Sequence, residues 1–190
     1  MLKIILASAS PRRRELLGKL YDSFDIITSD VDESLPRGVL PRDGVEILAV
    51  RKGSTVADGH RDAVVVSSDT LVEIDGIPLG KPMSREDAYR MLSMLSGKYH
   101  NVHTGVAVHY KGVVKSGVAT ARVKFFELSD AQIWDYIDTG EPMDKAGSYA
   151  IQGIGGKLIE GYDGDFDTIM GLSVSLTQRL IDEAVRDGND

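Results

Sequence analysis

A short, mainly apolar run, Leu2 to Ala7, ends directly on Ser8-Ala9-Ser10-Pro11-Arg12-Arg13-Arg14. This junction constrains the fold more than any other feature of the chain. A run of that length suits a buried strand. Serine followed by proline marks a helix start, because proline lacks the N–H that a first turn leaves unpaired. A strand that feeds straight into a helix is the opening of an α/β architecture. The helix is expected to reach about Leu20, with Leu16, Leu17 and Leu20 on its buried stripe.

The alternation continues. Phe24 to Thr28 reads as a strand, Asp30 to Pro41 as an acidic loop, and about Arg42 to Asp58 as a helix burying Val45, Leu48 and Ala49. Ala63 to Ser68 is a β-branched run expected to end at Ser68-Asp69-Thr70, before a hairpin at Asp75-Gly76. Ser84 and Asp87 resemble a capping box for a helix over Arg85–Leu95, where Ala88, Met91, Leu92 and Leu95 form one stripe. Strands are expected over Val102–Tyr110 and Val113–Phe126 around Lys111-Gly112, and Ser129 with Gln132 caps a helix over Asp130–Asp138. Ser148–Gln152 and Lys157–Glu160 read as strands flanking a Gly153–Gly156 turn or bulge, and a last helix starts near Ser173, with Leu176, Leu180, Ile181 and Ala184 on one side. The expectation is a mixed sheet flanked by helices in a single domain, 1–190.

Composition narrows the function. The chain has 29 acidic and 22 basic side chains, a formal charge of −7, which disfavours the broad basic face of a nucleic-acid binder. Cysteine is absent, which removes disulfides and thiolate chemistry and suits a reducing compartment. Met1 to Ala7 is too short for a signal h-region, and no apolar run approaches the ~18 residues of a membrane helix. A cytoplasmic protein without membrane or nucleic-acid partners is expected. The sum of −7 hides a gradient: residues 1–20 hold five basic groups and one acid, whereas residues 160–190 hold eight acids and two bases.

Those N-terminal bases sit where they cost stability, since cations in a first helical turn oppose the helix dipole by roughly 0.3–1 kcal/mol each. At about 100° per residue, Arg13 shares the stripe of Leu16, Leu17 and Leu20, Arg12 lies beside it, and Arg14 points away. A solvated basic turn is the ordinary reading of such a triplet. The helix-start context shifts the balance towards phosphate binding at the carboxyl edge of the sheet. Asp69, after an apolar strand, and the acids Asp30, Asp32 and Glu33 form a second theme, because carboxylates near phosphates suit a hard divalent cation. For Asp30 and Asp32 a solvated loop is the better reading. Lys52 and Lys81 can add phosphate contacts, and the amide of Gln152 can pair with a base edge or simply satisfy backbone. His100, His103 and His109 lack metal-ligand spacing, and Trp134, Phe125 and Phe126 read as core. No Walker sequence or nucleophile elbow is present.

Taken together, Ser8-Ala9-Ser10-Pro11-Arg12-Arg13, Val31-Asp32-Glu33, Ser68-Asp69-Thr70, Gly80-Lys81-Pro82 and Asp144-Lys145-Ala146-Gly147-Ser148-Tyr149-Ala150-Ile151-Gln152-Gly153 resemble the Maf family of nucleoside triphosphate pyrophosphatases, in order and over nearly the whole chain. Arg12, Thr70 and Gln152 match the branch acting on dTTP and UTP. The resemblance implies a strongly twisted central sheet in two lobes around a cleft, as in inosine triphosphatase-like folds, and a homodimer. It implies hydrolysis of dTTP and UTP to monophosphate and pyrophosphate, a house-cleaning activity. Asp69 is then the proton acceptor, and Glu33 with Asp69 holds Mg²⁺ or Mn²⁺. Ser8, Ser10, Arg13, Lys52 and Lys81 grip the phosphates, while Arg12, Thr70 and Gln152 select the base. The alternative is a nucleotide-binding regulator of cell division or septum formation. One departure is Phe166–Ser173, where Gly171-Leu172-Ser173 replaces the family's usual Gly-Leu-Pro.

Overall fold

The computed structural model describes residues 2–28 and 30–190; Met1 and Ser29 lie outside the described residues. The architecture is mixed α/β. Its sheet has the strand order β2-β1-β3-β5-β6-β7, with a short β4 on β3, and three long strands that pass through both of two compact units.

The first unit comprises Met1–Asp69, Thr104–Ala119 and Gly171–Asp190. Strand β1 (Ile4–Leu6) leads through Ser8-Ala9-Ser10 into helix α1 (Pro11–Leu17), followed by β2 (Asp25–Ile26), α2 (Pro41–Ala57) and the first part of β3 (Val64–Ile74). Strand β1 is parallel to both neighbours, with Ile5 opposite Asp25 and Val65. Ile5, Ala7, Ala63, Val65 and Val56 of α2 form one buried cluster, which clamps that helix to the sheet. Helix α6 (Val174–Asp187) completes the unit and buries Leu176, Leu180, Ile181 and Ala184, the expected stripe.

The second unit comprises Thr70–His103 and Thr120–Met170. It holds the rest of β3, then β4 (Ile77–Leu79) and α3 (Arg85–Leu95), then parts of the long strands β5 (Tyr99–Tyr110) and β6 (Val113–Phe125). Helix α4 (Asp130–Asp138), β7 (Ile159–Asp163) and a short α5 (Phe166–Met170) follow. Its core joins Val72, Ile74, Ala88, Met91, Leu92, Leu95, Val123, Phe125, Ile133 and Ile137. Both expected serine caps form. Ser84 Oγ accepts the Asp87 N–H at 3.1 Å, and Ser129 and Gln132 make a reciprocal box.

Several expectations change. Helix α1 stops at Leu17, so its dipole is that of two turns, and Ser10 makes no side-chain cap; instead Ser8 Oγ accepts the Ser10 N–H at 3.2 Å. Strand β3 does not end at Ser68 but runs on to Ile74, because Val72 and Ile74 find a second core beyond the polar Ser68-Asp69-Thr70 step. Ser148–Gln152 is not a strand: Gly147 and Ser148 have φ of +67° and +62°, and the chain forms 3₁₀ turns at Ala146–Ser148 and Ile154–Leu158. The following strand therefore starts at Ile159 rather than Lys157. A Cβ on Gly147 would meet the Val72 side chain at 2.7 Å, so this close packing selects the turn over local strand propensity. Phe126 is 48% exposed rather than core, while Trp134 stacks on Tyr89 at 4.9 Å.

His100, His103 and His109 are buried. His100 is buried in the second unit; its Nε2 and the Tyr149 hydroxyl are 2.8 Å apart, and its Nδ1 has no protein partner. Desolvation lowers its pKa to about 4. The unfolded chain, with an ordinary histidine near 6.5, binds the proton more readily, so His100 favours folding fully above that value. Stability is then lost as pH falls from about 6.5 towards 4, by about 3 kcal/mol in all. Melting temperature should fall as pH is lowered across this window, and His100→Gln, which keeps a hydrogen-bonding group for Tyr149, should flatten that fall. An unchanged slope in the variant would assign the acid sensitivity elsewhere.

Candidate active site

The candidate site in the first unit forms where β1 ends and β3 continues. The Ala7 N–H still donates to the Val66 carbonyl at 2.8 Å, after which the chain leaves the sheet through Ser8 to Ser10 into α1. Polar side chains then take over from sheet pairing. Arg13 Nε donates to the Gly171 carbonyl at 2.9 Å, and Ser68 Oγ donates to the same oxygen at 3.0 Å. Arg13 Nη1 also lies 3.3 Å from Ser8 Oγ. Gly171 can serve as this junction because its φ is +122°, a conformation side chains resist. Proline is therefore dispensable here: Ser173 Oγ accepts the Leu176 N–H and caps α6.

At the centre is a lysine between two carboxylates. Lys52 Nζ, on α2, donates to Asp69 Oδ1 at 2.6 Å and lies 2.7 Å from Glu33 Oε1. The side chains of Lys52 and Asp69 are 13% and 15% exposed, whereas Glu33 is 63% exposed on its loop. Arg13 belongs to the same field. Its burial pulls the guanidinium below its ordinary range, and the charge of Asp69 raises it, Arg12 lowers it, and Glu33 raises it again. An arginine remains charged in such surroundings, so the first unit gathers two cations around two carboxylates.

The acidic loop is held by a residue that sequence reasoning missed. The Arg51 guanidinium donates to the backbone carbonyls of Asp32 and Ser34, the latter at 2.9 Å. Arg51 adjoins Lys52 on α2, so one helical turn both holds the loop and reaches the carboxylate that the loop carries. The adjacent bases were visible in the sequence, but their targets were not. Asp32 turns back on its own chain, accepting the Ser34 N–H at 2.9 Å and the Ser34 hydroxyl at 2.7 Å. These hydrogen bonds hold its carboxyl below the usual range, and they fit the solvated-loop reading.

Ser8, Ser10, Arg12, Arg13, Glu33, Lys52 and Asp69 lie in the first unit; Thr70, Lys81 and Gln152 lie in the second. Thr70 is half-buried on β3 immediately after Asp69, and Lys81 and Gln152 are exposed. Within the second unit the Gly147 N–H donates to the Gly80 carbonyl at 3.0 Å, which ties the Gly80-Lys81 bend to the segment leading to Gln152. A further support went unforeseen. Glu141 accepts the N–H groups of Ile154 and Gly155 at 3.0 and 2.9 Å and the Tyr136 hydroxyl at 2.7 Å. Partial burial raises the Glu141 pKa, but the bonds from Tyr136, Gly155 and Ile154 and the charge of Lys145 bring it below the ordinary value. Glu141 thus anchors the loop after Gln152 as an anion.

Two carboxylates that already share one cation are a donor set a hard divalent ion can use. Mg²⁺ is commonly held by one or two carboxylates, its other positions filled by water and substrate phosphate. Glu33 and Asp69 fit that pattern, and among the described residues no cluster of three acid or histidine ligands competes with it.

The chain is 45% identical over 185 residues to the dTTP/UTP pyrophosphatase of Bdellovibrio bacteriovorus, covering 94% of this chain and 96% of that protein. It is 48% identical over 183 residues to the dTTP/UTP pyrophosphatase of Moorella thermoacetica, covering 95% and 94%. Among solved structures, the Staphylococcus aureus Ham1 protein matches with a TM-score of 0.53 over 99% of this chain and 100% of that one; at 17% identity this shows a shared fold. The family model for Maf-like proteins matches residues 3–184, and the chain therefore belongs to the Maf family.

Proposed function

We propose that this chain hydrolyses dTTP and UTP to the nucleoside monophosphate and pyrophosphate. The observation that carries the reading is Asp69 held between Lys52 and the Arg13 field, with Glu33 on the same lysine, in a chain of this family. Chemically, the cluster provides what phosphoryl transfer demands: fixed positive charge for the phosphate oxygens and a fixed acceptor for the proton of an attacking water.

In this reading Asp69 Oδ2 takes the proton of a water that attacks the α-phosphorus, while Lys52 keeps Oδ1 in place. Arg13, braced on Gly171, grips the phosphates together with Lys52, Ser8, Ser10 and Lys81. Glu33 and Asp69 hold the Mg²⁺ or Mn²⁺. When bound there, a divalent cation would supply positive charge against the phosphates. Arg12, Thr70 and Gln152 read the pyrimidine, and Glu141 keeps the Gln152 loop in shape. The reading also includes a homodimer and a cytoplasmic setting; no helix among the described residues is long and apolar enough to cross a membrane.

Products decide the matter. UTP and dTTP incubated with Mg²⁺ or Mn²⁺ in ¹⁸O-water should give monophosphate carrying the label and unlabelled pyrophosphate. Diphosphate with orthophosphate would refute attack at the α-phosphorus. Nucleotide binding with no metal-stimulated product would favour the regulator.

A further inference from the structure

We propose that Lys52 is the resident counter-cation of the Glu33–Asp69 pair, and that it must release these carboxylates before a divalent ion can use them. The ion is then admitted with the nucleotide rather than ahead of it. This deepens the pyrophosphatase reading and rests on it.

The geometry carries the argument. A single ammonium spans both acids, at 2.6 Å from Asp69 Oδ1 and 2.7 Å from Glu33 Oε1, distances of charge-assisted hydrogen bonds. A divalent cation would draw on these same two carboxylates and so would be drawn close to the ammonium, where like charges repel. Lys52 and the ion therefore compete for one pair of acids.

The surroundings make exchange feasible without rebuilding the site. Lys52 has a four-carbon stem and freely rotating donors, so it can turn from carboxylate to phosphate while its backbone stays put. Its backbone is fixed, since neighbouring Gly53 lies so close to His109 and Ser67 that a Cβ there would come within 2.4–2.6 Å of them. Arg51 separately grips the loop by the carbonyls of Asp32 and Ser34, so Glu33 stays within reach whichever cation it serves. A triphosphate brings the anionic oxygens that give the ammonium a new partner as the acids change theirs. Lys52 thereby couples metal entry to substrate entry.

The test measures Mn²⁺ binding rather than turnover. Free Mn²⁺ is followed by electron paramagnetic resonance in nucleotide-free protein, for wild type, Lys52→Met, Lys52→Gln and Lys52→Arg. Thermal melting verifies folding, and Lys52→Gln guards against loss of fold because its amide, though one bond shorter, still offers N–H donors on the side of the acids. The uncharged variants should bind Mn²⁺ at least tenfold more tightly than wild type. Lys52→Arg should show no gain, and adding Glu33→Gln to Lys52→Met should abolish it. Uncharged variants that bind no more tightly than wild type would overturn the proposal. A parallel arm measures water proton relaxation with wild type, Mn²⁺ and the non-hydrolysable α,β-methylene UTP, which separates protein-held from nucleotide-held ion. Protein-held Mn²⁺ there, without a gain in the lysine variants, rejects the competition alone. No protein-held Mn²⁺ in any arm rejects the metal-assisted reading and this proposal together.

Discussion

Asp69→Asn should lower turnover of UTP and dTTP by about 10³-fold while leaving nucleotide affinity within a few fold, the size expected when a positioned general base is removed. The substitution keeps the shape of the side chain and an oxygen for Lys52, at 2.6 Å in the native pair, but removes the proposed proton acceptor and the charge. Lys52 retains Glu33. The fold should survive at a cost of about 1–3 kcal/mol for a part-buried ammonium that has lost one of two counter-charges. Steady-state rates, binding by calorimetry and a melting curve on the same preparation separate these effects. A loss under tenfold would remove Asp69 from the proton-transfer role. Glu33 has a different burden: it is mostly exposed and reaches Lys52 from a loop, so its loss should be felt in metal dependence more than in folding.

Gly105→Ala should destabilise the protein by about 3 kcal/mol or more, lowering the melting temperature by roughly 6–12 °C. A Cβ at this position of β5 would lie 2.3 Å from the Val45 carbonyl oxygen, 2.5 Å from its carbon and 2.7 Å from the Glu46 nitrogen. These atoms are backbone of α2, so no rotamer relieves the overlap and the helix itself has to move. That helix carries Arg51 and Lys52, and the shift would spoil the reach of Lys52 to Asp69. Activity per folded molecule should therefore fall as well. Gly161→Ala is the matched control on β7, where an added Cβ meets nothing within 4 Å, and should change the melting temperature little. A Gly105 variant melting within 2 °C of wild type would mean that α2 is not held to β5 as closely as the structure places it.

Much of this was legible before any coordinates. The Ser8–Arg14 junction announced strand then helix, and the stripes of α3 and α6 fell where spacing put them, because apolar periodicity and serine caps act within a few residues. The expectation for Asp32, a solvated acid in a loop, also needed only its neighbour Ser34. The Maf motifs named the residues of the candidate site, but not how they are held. Gly147 and Ser148 adopt left-handed backbone, and Gly147 does so packed against a valine 75 residues earlier, which no local strand propensity reports.

The sequence by itself determined the α/β class, the helix faces and the family, since each depends on local spacing or on motifs read in order. Only the tertiary structure decided that Lys52 faces two carboxylates, that Arg13 is braced on Gly171, and that Arg51 holds the acidic loop. These are contacts between elements 17 to 158 residues apart, set by how closely helix and sheet approach at positions such as Gly105. A lysine written in a helix has a charge and a reach. Which acid it meets is fixed by packing.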